Sequence, residues 1–114
     1  MKDCIFCKIA AGELPSKKAY EDEQVLAFYD IHPQAPVHIL IIPKTHCASG
    51  AAEITPENSA VVARCFEVAA KLAGELGVAG GFRIVTNNGA KAGQTVPHLH
   101  FHLLAGRDLH LTMG

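Results

Sequence analysis

The chain has 114 residues, enough for one domain with a single buried core and too few for two. Its 49% hydrophobic and 18% charged residues are those of a globular protein and exclude a disordered one. A formal net charge of −1 excludes a global basic field for nucleic acid or an anionic membrane, so any phosphate must be held by local groups.

Met1-Lys2-Asp3-Cys4 leads into no long apolar run, so no signal peptide is expected. The longest apolar stretch, Ile39 to Ile42, is far too short to span a bilayer. The four cysteines, Cys4, Cys7, Cys47 and Cys65, are then expected to be reduced thiols or metal ligands in a cytoplasmic protein. Residues 4 to 11 suit a short helix, stopped by Gly12 and by Pro15 further on. Gln24 to Asp30 alternates aromatic and aliphatic residues and reads as a strand ending at Pro33. Val37 to Ile42 is a second strand, rich in β-branched residues, bracketed by Pro36 and Pro43 and apolar enough for burial on both faces.

Thr55-Pro56-Glu57 has the marks of a helix start: an N-cap hydroxyl, proline at the first helical position and an early acid. Val62, Cys65, Phe66, Ala69, Leu72, Ala73 and Leu76 then recur at helical spacing, and Gly77 suits the C-cap. Phe82 to Asn87 is a strand running into the turn signal Asn88-Gly89. After the small-residue loop Gly89 to Gly93, a last strand runs from about Val96 to Leu104. Hairpin-like strands around one long helix indicate an α+β protein with a mostly antiparallel sheet, one unit over residues 1–114.

The most informative segment is His98-Leu99-His100-Phe101-His102-Leu103-Leu104. A strand sends alternate side chains to opposite faces, so three imidazoles line one face while Leu99, Phe101 and Leu103 enter the core. Alternate residues lie about 6.5–7 Å apart, close enough for all three to reach one phosphate-sized group. A merely polar outer face would be served by Ser, Thr, Lys or Glu and gives no reason for histidine each time. Histidine can change protonation near neutral pH and act as nucleophile, acid or donor. Gly93-Gln94-Thr95, ahead of the strand, offers backbone N–H groups of the kind that cradle phosphate.

The His-apolar-His-apolar-His-apolar-apolar run resembles the histidine triad (HIT) motif, in particular that of the histidine triad nucleotide-binding (HINT) branch. The resemblance extends over nearly the whole chain. Asp30-Ile31-His32-Pro33-Gln34-Ala35-Pro36 looks like the family's nucleotide-contacting segment and His38-Ile39-Leu40-Ile41-Ile42-Pro43-Lys44 like the strand behind it, and Gly93-Gln94-Thr95 and Ala105-Gly106-Arg107 also fit. It implies a HIT-like fold, a five-stranded sheet with one long and one short helix, in a homodimer whose sheets join into one. It also implies a nucleotide-binding hydrolase that cleaves purine nucleoside 5′-phosphoramidates or related nucleoside monophosphate conjugates, with AMP as a representative ligand.

By that resemblance His100 attacks the α-phosphorus to form a nucleotidyl-histidine that water cleaves. His102 bonds the phosphate, and His98 helps to organise the nucleophile or the leaving-group side. Backbone N–H groups from Gly93 through Gln94 to Thr95 stabilise the phosphoryl charge. Asp30 contacts the ribose, Phe28 and Ile31 flank the base, and Asn87 contacts the phosphate or ribose side. Thr95, where relatives often carry serine, keeps a hydroxyl for the leaving group. Leu111 stands where many relatives carry tryptophan.

Catalysis of this kind needs no cofactor. Cys4-Ile5-Phe6-Cys7 forms a Cys-x-x-Cys pair, and some bacterial triad proteins resemble this chain in adding His46 and the first triad histidine; that gives Cys4, Cys7, His46 and His98 as a candidate structural zinc set. Two other accounts stay open at this point. In one, the triad holds a catalytic metal, although no acid near it offers a general base. In the other, the chain is a nucleotide-binding protein that acts through partners, with incidental activity.

Overall fold

The computed structural model describes residues 4–109. Along the chain lie α1 (Ile5–Ala10), β1 (Lys18–Glu21), β2 (Val25–Tyr29), β3 (Val37–Pro43), α2 (Ala60–Glu75), β4 (Phe82–Val85) and β5 (Phe101–Ala105). The strands form one antiparallel sheet in the order β1-β2-β3-β5-β4. This is the α+β architecture with five strands, one long helix and one short one that the sequence resemblance implies.

The continuous apolarity of β2 and β3 has a direct cause, because both faces of the central strands are covered. Val25, Ala27, Ile39 and Ile41 pack with Cys65, Val68, Ala69 and Leu72 of α2. Leu26, Phe28, Leu40 and Ile42 point the other way and pack with Cys4 and Phe6 at α1. The buried stripe of α2 includes Val68, whereas Phe66 and Leu76, expected on it, are 47% and 38% exposed. Gly77 ends α2 at φ +72°, donating to the carbonyl of Gly74 while Val78 donates to that of Ala73, the paired bonds of a Schellman motif.

Three boundaries differ from the sequence expectation. The regular helix begins at Ala60 rather than after Thr55. Local bonds hold residues 55–58 in turns instead: Thr55 Oγ1 accepts the N–H of Glu57, and Asn58 Oδ1 accepts the N–H of Thr55. Strand β4 stops at Val85, two residues before Asn87. Strand β5 begins at Phe101 rather than Val96. Pro97 has no N–H to give a ladder, His98 N–H turns back to the carbonyl of Val96, and Leu99 N–H goes to the carbonyl of Ala48. Only His102 therefore stands within the strand, and His98 and His100 lie on the segment leading into it. The alternation survives this, since Leu99, Phe101 and Leu103 are buried against α2 and the histidines face away.

At the β1–β2 turn, Asp22 accepts N–H groups from Gln24 and Val25 and is bonded by Tyr20 and by Arg64 of α2. Among the described residues no helix is long and apolar enough to cross a membrane.

Leu103 is fully buried between sheet and α2. Leu103→Ala should cost about 2–5 kcal/mol of stability in urea unfolding, whereas the exposed Lys91→Ala should change it by less than about 0.5 kcal/mol.

Candidate functional site

Backbone groups fix the tautomers of three imidazoles. His98 Nε2–H donates to the carbonyl of Pro43 at 2.8 Å, which leaves Nδ1 as its lone-pair nitrogen. His100 Nδ1–H donates to the carbonyl of His98 at 2.7 Å, so the lone pair of His100 is on Nε2. His38 Nδ1 accepts the N–H of Gln34 at 3.0 Å, so its proton is on Nε2. That proton is donated to His102 Nδ1 at 2.9 Å, and a neutral His102 must then carry its own proton on Nε2. The assignment follows from one rule: an N–H can only donate and a carbonyl only accept. It yields a nucleophilic nitrogen on His100 beside a donor on His102, with the two rings 5.1 Å apart.

The register explains the pairing of His38 with His102. Leu40 stands opposite His102 and His38 opposite Leu104, so the two histidines are diagonal neighbours on one face. In the sequence His38 stands out only as part of the strand Val37 to Ile42. The signal for more was a lone imidazole in an otherwise apolar strand, and only the strand register reveals which residue it meets.

A cavity of about 620 Å³ opens over His100 and His102. Phe28, Asp30, Ile31, Thr95, His100 and His102, all singled out from the sequence, line it. Residues 5 to 17 supply further walls through Ile5, Phe6, Ile9 and Lys17. Ile31 is 86% exposed and Ile5 is also exposed, so two large apolar side chains stand unburied at this cavity. Phe6, which the sequence did not single out, meets His100 edge-on at 5.0 Å and Phe28 at 5.7 Å. Asp30 Oδ1 accepts the N–H of His32, and Oδ2 lies 3.6 Å from His38 Nε2, so lone pairs remain for a ligand.

Three expected contacts lie elsewhere. Asn87 lines a neighbouring cavity of about 310 Å³, with Arg83, Arg107 and His102, the last being shared by both cavities. Gly93 is not among the lining residues and has φ +90°, the left-handed turn that ends its loop. Gln94 spends its side chain on structure, accepting the N–H of Gly89 and donating to the carbonyls of Ser49 and Val96. Its amide thus fastens the loop ahead of Thr95.

Cys4, Cys7, His46 and His98 bring one ligand atom each to within 4.8 Å of one another. His98 Nδ1 is 3.2 Å from Cys4 Sγ and 3.5 Å from Cys7 Sγ, and His46 Nδ1 is 3.4 Å from Cys7 Sγ. A tetrahedral zinc with Zn–S of about 2.3 Å and Zn–N of about 2.0–2.1 Å sets its ligand atoms roughly 3.3–3.8 Å apart, so the donor set fits. His98 also has its outer N–H fixed by a carbonyl, the usual arrangement for a metal-bound imidazole. In the absence of metal, burial and the Cys4 sulfur push the Cys7 thiol up to about 11. The triad does not converge on one ion: His98 Nε2 is bonded to the carbonyl of Pro43 and its Nδ1 meets the sulfurs of Cys4 and Cys7. Asp30, His38 and His102 also lie close together, but both nitrogens of His38 are already bonded.

A protein-family model described as the HIT domain matches residues 11–109. An uncharacterized HIT-like protein of Synechocystis sp. is 48% identical over 106 residues, covering 93% of this chain and 92% of its own. Among solved structures, a HIT family hydrolase from Clostridium thermocellum matches with a TM-score of 0.94 at 48% identity, over 99% of this chain and 98% of its own. A hypothetical histidine triad nucleotide-binding protein from Sulfolobus tokodaii matches with a TM-score of 0.74 at 33% identity, over 89% and 67% of the two chains.

Burial holds His38, His98 and His100 below the ordinary histidine range. His102 is lowered to about 4, first by burial and then by its neighbours His100 and His38, against the opposing pull of Asp30. An unfolded histidine takes up its proton near pH 6.5, well above this value. The contribution of His102 to stability is therefore complete above pH 6.5 and is lost as pH falls toward 4. Urea unfolding at stepped pH should show that decline, and His102→Gln should make it shallower over the same window.

Proposed function

The chain belongs to the HIT domain family, and on that premise we propose that it is a nucleotide-binding hydrolase of the HINT branch, one domain over residues 1–114. Its substrates are purine nucleoside 5′-phosphoramidates or related nucleoside monophosphate conjugates. The observation that carries the reading is the His100 tautomer: Nδ1–H is held by the carbonyl of His98, and the lone-pair Nε2 belongs to a ring lining a cavity large enough for a nucleotide. The similar chains named as a hydrolase and as a nucleotide-binding protein support the same class.

In this reading the base lies among Phe6, Phe28 and Ile31, apolar surfaces suited to a flat ring, and Asp30 accepts from the ribose hydroxyls. The phosphate sits at His102, whose Nε2–H donates to a phosphoryl oxygen, on the side of Thr95; the N–H groups of Gly93 and Gln94, expected from the sequence to cradle it, are already bonded to the carbonyls of Ala90 and Gly89. Asn87 approaches from the second cavity, and the Thr95 hydroxyl stands on the leaving-group side. The lone pair of His100 Nε2 forms a bond to the α-phosphorus as the phosphorus–nitrogen bond to the leaving amine breaks, and the amine departs with a proton from solvent. Water then attacks the phosphorus and gives up a proton to solvent, the bond to Nε2 breaks with its electron pair returning to the nitrogen, and the nucleoside monophosphate leaves a neutral imidazole behind. No step calls for a cofactor.

Cys4, Cys7, His46 and His98 would hold a structural zinc. That ion supplies rigidity, with His98 as a fixed scaffold whose carbonyl orients the nucleophile. The reading includes a homodimer with a continuous sheet. An outer strand β4 with the half-exposed Phe82, and the exposed Phe66 on α2, support it. A cytoplasmic setting agrees with four cysteines free of disulfides.

Hydrolysis of an adenosine 5′-phosphoramidate should fall by about 10³-fold or more in His100→Ala while AMP binding persists. Mass spectrometry of the quenched wild type should find the nucleotidyl group on His100. Equal rates in both proteins would contradict the covalent reaction.

A further inference from the structure

The reading above leaves α1 with two partners at once. It has six residues, Ile5–Ala10, too few to be stable by itself. One side of it belongs to the thiol–imidazole cluster: Cys4 is the N-cap, its sulfur accepting the N–H of Cys7, and both sulfurs lie against His98 or His46. Its other side is a wall of the large cavity, where Ile5, Phe6 and Ile9 stand with His100. Phe6 joins the two, its ring meeting His98 at 5.9 Å and His100 at 5.0 Å. The cluster is also tied directly to the nucleophile, because the carbonyl that fixes His100 belongs to the ligand residue His98.

We infer that zinc at Cys4, Cys7, His46 and His98 and a nucleoside in the cavity bind cooperatively, each stabilising the same short helix for the other. The inference rests on the nucleotide and zinc readings given above. A metal that fixes α1 removes part of the ordering cost of nucleoside binding, and by linkage the nucleoside must tighten zinc by the same factor. The coupling runs through a wall of the cavity and not through the phosphate, so it does not require charge attraction between zinc and a nucleotide. Loss of zinc then loosens the pocket without touching the side chains of His100 and His102.

Zinc affinity is measured by competition with a chromophoric chelator, alone and with saturating AMP or adenosine, and nucleoside affinity by calorimetry on the zinc-loaded and stripped protein. The expected result is a tightening of about fivefold or more in both directions, by equal factors, with adenosine as effective as AMP. Amide exchange over residues 5–11 should slow with zinc and slow further with the nucleoside. Phe6→Ala, which keeps all four ligands but removes the ring shared by the two sites, should lose the coupling when zinc affinity is compared with and without adenosine at concentrations that saturate the variant. Stoichiometric zinc with an affinity indifferent to nucleosides would overturn the coupling and leave the zinc reading standing. Coupling confined to AMP would overturn α1 as its route. A protein that takes up no zinc would overturn both the coupling and the zinc reading, and one that binds neither AMP nor adenosine would overturn the proposed function with it.

Discussion

The bond from His100 Nδ1–H to the carbonyl of His98, 2.7 Å long, is the contact on which the site depends. It joins a side chain to the backbone two residues earlier, which an extended segment allows and a helix would not. Because a carbonyl can only accept, the contact sends the lone pair of His100 to Nε2. The same logic repeats around it, with the carbonyl of Pro43 fixing His98 and the N–H of Gln34 fixing His38 and, through it, His102. Each imidazole thus has at least one nitrogen committed to the fold. Among the described residues no buried polar side-chain atom is left without a partner, so this inward-facing polarity carries no unpaired group.

Holding that segment straight falls to the residues between the histidines. Leu99, Phe101 and Leu103 are locked into the core under α2, and Leu99 N–H is tied to Ala48. A one-residue slip would exchange the two faces, moving imidazoles into the apolar core and leucines into the cavity. The packing that stabilises the sheet therefore also sets the direction of the functional groups. The opposite face of the sheet is covered differently, by one short helix and a few aromatic edges. That lighter cover is what leaves room for the cavity.

Much of this was legible in the chain. The period-two pattern from His98 to Leu104 identifies both the core residues and the functional face, and the unbroken apolar run of Val37 to Ile42 identifies a strand covered on both sides. Of the four members of the Cys/His cluster, Cys4 and Cys7 show as a Cys-x-x-Cys pair, whereas His46 and His98 came only from the resemblance, since no local spacing connects them to it. What escaped the sequence depends on backbone geometry or on register. Thr55-Pro56 reads as a helix start, but Asn58 captures the N–H of Thr55 and delays the helix. Gln94 reads as a ligand contact, yet the loops holding Ser49 and Gly89 fold close enough to consume its amide. The partnership of His38 with His102 needs the register of β3 against β5, which no pattern within either strand states.

The most direct measurement is the tautomeric state of His38, His100 and His102, read from imidazole ¹⁵N shifts in long-range ¹H–¹⁵N spectra at neutral pH. The expected result is a proton on Nδ1 of His100, leaving Nε2 with the lone pair, and protons on Nε2 of His38 and His102. A proton on Nε2 of His100 would contradict it, because the ring would then have no lone pair to offer a phosphorus in the cavity.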